Sequence, residues 1–92
     1  MSLDLKKGSY NRLWAVLAAL AYKDGEATLK ELSDLSGLPR SSTEDILKKV
    51  LDGQVPAMKI NRNNATFTIV EWGYFLNKEH LVEFFTKHLN NG

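Results

Sequence analysis

An α+β fold is predicted by three features of the sequence. Two short amphipathic segments meet across Ser36-Gly37-Leu38-Pro39, the apolar period then changes from helical to two, and a last amphipathic segment follows. With one further helix ahead of them, these give the order helix, helix, turn, helix, hairpin. That is the order of a winged helix-turn-helix: a three-helix core, a β-hairpin wing and, here, an extra C-terminal helix.

The first helix is expected from about Ser9 to Lys23. Ser9 suits the capping position, Leu13, Val16, Leu17 and Leu20 form the buried stripe, and Asp24-Gly25 supplies the exit. Trp14, Ala18 and Ala21 widen the apolar surface, which implies cover on more than one side. Met1 to Gly8 are expected as a loosely attached arm.

Thr28 and Glu31 have capping-box spacing, so the second helix starts near Thr28. Leu29, Leu32 and Leu35 recur along one face while Lys30, Glu31, Ser33 and Asp34 stay wet. Gly37 ends this helix, because a sharp reversal calls for a left-handed residue. Pro39 restarts the chain with a φ suited to a first helical turn. From Arg40 to Leu51, Ile46, Leu47, Val50 and Leu51 are apolar, with Thr43 on the same side. Ser41, Ser42, Glu44, Asp45, Lys48 and Lys49 face the other way. Two helices joined so tightly cross steeply and place the second where it can enter a DNA major groove.

After Gly53, Met58, Ile60, Phe67 and Ile69 alternate with Lys59, Asn61, Thr66 and Thr68. With Asn63-Asn64 as the turn, Ile60 falls opposite Phe67 and Met58 opposite Ile69, so the large apolar side chains share one face. Asparagine tolerates the positive φ of a tight hairpin turn. Asn61-Arg62-Asn63-Asn64 is then the polar tip of the wing.

Asn77 is expected to cap a last helix through about Leu89, with Leu76 and Leu81 placed for a hydrophobic staple. A winged-helix core does not require this helix. Leu81, Phe84, Phe85 and Leu89, helped by Trp14, therefore read as apolar surface surplus to one protomer and as a dimer interface.

The run from Leu32-Ser33 to Leu38-Pro39-Arg40-Ser41-Ser42 resembles the L-A-x-x-x-G-L-P-R-S-T run in winged-helix transcription regulators, the IclR-type N-terminal domain most closely. It aligns without a gap through Ile46, Leu47 and Val50. Thr43 stands where such motifs usually carry an apolar β-branched residue, and Glu44-Asp45 where basic or amide side chains are common. The resemblance implies DNA binding by a bacterial regulator.

Composition narrows the alternatives. A 92-residue chain is expected to make one domain, near the size where a partner adds useful stability. The hydrophobic fraction of 43% argues against disorder, and the longest apolar run, Leu13 to Tyr22, is too short to span a bilayer and lacks a signal-peptide pattern. A cytoplasmic protein without membrane partners is expected. The absence of cysteine excludes thiol catalysis, disulfides and thiolate zinc sites. His80 and His88 read as surface residues, since neither has a partner at metal-ligand spacing. No phosphate loop, triad or carboxylate pair suggests an enzyme, and no cofactor is implied.

Charge is less decisive. Twelve Lys and Arg stand against eleven Asp and Glu, for a net charge of +1. Between Arg40 and Arg62, however, Arg40, Lys48, Lys49, Lys59 and Arg62 outnumber Glu44, Asp45 and Asp52. The expected partner is double-stranded DNA, bound by a homodimer through Arg40, Ser41, Ser42, Lys48, Lys49, Arg62, Asn63 and Asn64. Glu44 and Asp45 read as acids opposing the helix dipole. The rival reading is a protein-interaction module, favoured by near-neutral charge and by those two acids.

Overall fold

The computed structural model describes residues 10–73 and 76–88. Its elements are α1 (Tyr10–Tyr22), β1 (Glu26–Thr28), α2 (Leu29–Ser36), α3 (Arg40–Leu51), β2 (Met58–Asn63), β3 (Thr66–Trp72) and α4 (Lys78–His88). Four helices and a three-stranded antiparallel sheet of order β1-β3-β2 make a winged helix-turn-helix. The expected arm, the capping role of Ser9 and the interface role of Leu89 lie outside the described residues.

Every residue from Ala15 to Ala21 is buried. That follows from position: α1 packs on α2, α3 and α4. The four alanines of this stretch let neighbouring elements approach closely, while Val16, Leu17 and Leu20 fill the space among Leu32, Leu47 and Phe67.

The helix-turn-helix forms by the capping chemistry its sequence encodes. The Glu31 N–H donates to Thr28 Oγ1 at 3.1 Å and the Thr28 N–H donates to Glu31 Oε1 at 2.9 Å. Gly37 adopts φ 78°, closing α2 with its N–H on the Ser33 carbonyl. Inside the turn, the Ser33 hydroxyl donates to the Leu38 carbonyl at 2.6 Å. The buried Ser36 hydroxyl donates to Ser33 O and accepts the Leu38 N–H, so no polar atom is stranded where the two helices meet. Thr43 is fully buried, and its hydroxyl donates to Pro39 O at 3.0 Å, back toward the start of its own helix.

The hairpin register differs from the one expected. Ile60 pairs with Ile69, Arg62 with Phe67 and Asn63 with Thr66; the turn residues are Asn64-Ala65, and Asn64 takes the positive φ, at 57°. A register shift between Lys59 and Ile60 then brings Met58 opposite Trp72 and leaves Val70 as the extra residue of a bulge. The physical reason is parity. Moving the turn by one residue keeps the same side chains on the same face, so apolar alternation cannot choose between the two registers. One consequence is that Arg62 lies across from the buried Phe67.

The second difference is α4. It packs along α1 and buries Leu81 and Phe85, with the Phe85 ring stacked on Tyr22 at a centroid distance of 4.3 Å. These two residues, expected as surplus surface, are covered by their own protomer because the apolar stripe of α4 meets the otherwise bare side of α1. Asn77 caps the helix, its Oδ1 accepting the N–H groups of Glu79 and His80. Lys78 reaches Asp24 at 2.8 Å and ties its start to the exit of α1.

Candidate nucleic-acid interface

α3 buries Thr43, Leu47 and Val50 and leaves Arg40, Ser41, Asp45, Lys48 and Lys49 exposed, with Asp52 exposed just past its end. Ser41, Asp45, Lys48 and Asp52 follow one another at helical spacing and form the outermost ridge of the helix. A groove-reading element needs such a ridge, because only side chains pointing straight out from the helix reach base edges. Lys48 and Lys49 also occupy the last turn, where cations oppose the negative end of the helix dipole.

On either flank of the ridge the side chains are already engaged. Ser42 is half-buried, and its hydroxyl accepts from Arg12 Nη1 at 3.2 Å. This contact joins the start of α1 to α3 and brings a cation, absent from the expected set, to the edge of the candidate surface. Its signal in the sequence is slight, since a lone Arg ahead of an apolar stripe has no distinguishing spacing. Glu44, on the opposite flank, accepts from Arg62 Nη2 at 2.9 Å. The Arg62 Nε–H donates to the Asn64 carbonyl at 2.9 Å, and the guanidinium lies 5.1 Å from the centre of the Phe67 ring.

The wing is therefore pinned against the helix-turn-helix. The Leu29 N–H donates to Ala65 O at 2.7 Å, which holds the hairpin tip at the start of α2. Ile69 N–H donates to Gly25 O at 2.7 Å, and β1 adds a third strand beside β3. Asn63 and Asn64 stay exposed at the tip, and Lys30 is exposed one residue beyond Leu29. Of the eight residues expected to meet DNA, Arg40, Ser41, Lys48, Lys49, Asn63 and Asn64 are exposed, while Ser42 and Arg62 make intramolecular hydrogen bonds.

Comparison with known families matches this architecture. The model of the IclR helix-turn-helix domain aligns with residues 9–49. Residues 9–49 are similar to the IclR helix-turn-helix domain. The IclR match takes in α1, β1, α2 and most of α3 and stops short of the wing and α4. A domain of this type is the DNA-binding part of transcription regulators and is not a catalytic one. No curated protein and no solved structure matches the chain.

Along α1 and α4, Trp14, Leu76, Asn77, His80, Leu81 and Phe84 line an open groove of about 470 Å³. It retains Trp14 and Phe84, two of the five residues expected at a dimer interface, as partly buried apolar groups. Among the described residues no group of three acidic or histidine side chains could hold a metal, and no helix is long and apolar enough to cross a membrane.

Proposed function

We propose that residues 1–92 form one winged-helix unit that binds double-stranded DNA sequence-specifically and regulates transcription in the cytoplasm as a homodimer. α3 would enter the major groove with Arg40, Ser41, Lys48 and Lys49 against phosphates and base edges. Asn63 and Asn64 would follow the adjacent backbone, and Ser42 and Arg62 would contribute from positions fixed by their internal hydrogen bonds. The supporting observation is the exposed ridge of α3 standing beside a hairpin locked to the same helix. The groove containing Trp14 and Phe84 would receive the second protomer, with Leu89 extending the interface and Leu81 and Phe85 backing it from inside.

Fluorescence anisotropy with a labelled 30-bp duplex of mixed sequence tests the partner. Affinity should fall steeply between about 50 and 200 mM salt, because each neutralised phosphate releases counterions. Selection from a randomised duplex pool should then enrich a defined site. No binding at the lower salt, or binding indifferent to salt, would turn the assignment toward a protein partner.

A further inference from the structure

We propose that Glu44, an acid on the helix that reads DNA, is a positioning residue for Arg62 and couples the wing to α3. The inference rests on the DNA-binding reading and concerns how that site is held.

Arg62 is restrained from three directions. Glu44 on α3 takes Nη2–H, the Asn64 carbonyl in the hairpin turn takes Nε–H, and the Phe67 ring in β3 supports the guanidinium from below. Phe67 is itself fully buried, so that support cannot drift. The two hydrogen bonds use two of the five guanidinium N–H donors. Both Arg62 and Glu44 keep about a third of their side-chain surface exposed, at 35% and 33%. Donors held in a fixed plane at the surface between a helix and a hairpin suit a phosphate oxygen, and the carboxylate fixes their direction. Glu44 thus acts on DNA through Arg62, and an acid that would repel the backbone if it stood alone becomes favourable as a brace.

This arrangement sets a sign that simple charge cannot give. Removing a carboxylate near phosphates should tighten DNA binding on electrostatic grounds. If Glu44 positions Arg62, Glu44→Ala should instead raise Kd for the mixed-sequence 30-bp duplex by about two- to fivefold, the range of an exposed ion pair. Glu44→Gln, which keeps an oxygen acceptor for Nη2–H, should recover most of that loss. In an Arg62→Ala background the sign should reverse, so that Glu44→Ala is neutral or tightens binding. Arg62→Ala alone should flatten the slope of log Kd against log salt by about one phosphate contact.

The unsubstituted protein, Glu44→Ala, Arg62→Ala and the variant carrying both substitutions are titrated at two salt concentrations after their melting temperatures are compared. A loss on Glu44→Ala seen only with Arg62 present is the expected result. Equal or tighter binding by Glu44→Ala, where the unsubstituted protein binds, overturns the positioning role alone. If the unsubstituted protein binds no duplex at about 50 mM salt, the DNA reading fails and the positioning role falls with it. Should Glu44→Ala lower the melting temperature, Glu44→Ser, whose side chain is too short to reach Nη2–H, carries the comparison, and binding by Glu44→Ser equal to or tighter than by the unsubstituted protein overturns the proposal.

Discussion

Thr28 and Glu31 show how two side chains decide a helix start, and they make stability depend on pH. The Glu31 carboxyl is held below its ordinary value of 4.5, first by the N–H of Thr28 that it accepts and then by the Lys23 ammonium 3.0 Å away. Asp24 beside Lys78 and Glu83 beside Lys87 are lowered in the same direction. A depressed folded-state pKa contributes stability that is fully present above the unfolded value and is lost as pH falls through the folded one. Melting temperature should therefore drop as pH goes from about 6 to about 3, and Glu31→Gln should make that drop shallower. Thr28→Ala removes the hydroxyl half of the box and should cost about 0.5 to 2 kcal/mol in denaturant unfolding. Gly37 tests backbone conformation in isolation, since a Cβ there would meet nothing within 4 Å. Gly37→Val should destabilise by about 1 to 3 kcal/mol through conformation alone, and Gly37→Asn should cost much less because asparagine tolerates φ of 78°. An equal loss for both variants would show that something other than φ matters at this turn.

Elements differed in how far their residues announced them. Caps and the turn between α2 and α3 were legible because they act within a few residues: Thr28 with Glu31, Gly37, and Asn77 each found their expected role. Longer-range pairing was less so. Glu26-Ala27-Thr28 is too short to show a period, and only the ladder to Thr66, Phe67 and Thr68 makes it a strand. The hairpin turn moved by one residue because both registers bury the same face, and the contact between Arg62 and Glu44 depends on that move. For α4 the stripe was visible but its partner was not, since a sequence cannot tell whether an apolar face meets its own α1 or another chain. Phe85, at 2% exposure, settles that for its own position. Phe85→Ala should cost about 3 to 5 kcal/mol by emptying the space beside Tyr22, whereas Phe84→Ala should cost far less in a monomer. Chemical denaturation of the two variants compares them directly, and similar losses would mean that Phe84 is as deeply enclosed as Phe85.

At the scale of the whole molecule, α1 lies between the surface that would carry DNA and the surface that would carry a partner. The described residues span 31 × 26 × 22 Å. Half-sites one turn of duplex apart need recognition helices separated by about 34 Å, so each α3 must stand about 17 Å from a two-fold axis. A protomer of these dimensions can meet that distance only if the axis passes near a face remote from α3. The groove of Trp14, Leu76, Leu81 and Phe84 is such a face, because α4 packs on α1 and α1 in turn on α3. Phe84 is the residue to change: it is partly buried, while Phe85 and Leu81 belong to the core of the protomer. Phe84→Glu should therefore leave the melting temperature within about 5 °C of the original, since a rim position carries little of the core. It should nevertheless shift sedimentation from dimer to monomer and weaken binding to a duplex with two half-sites about 10 bp apart, while binding to a single half-site stays unchanged. An unsubstituted protein that sediments as a monomer at tens of micromolar and binds both duplexes alike would remove the homodimer from the function and leave one winged helix acting alone on one half-site.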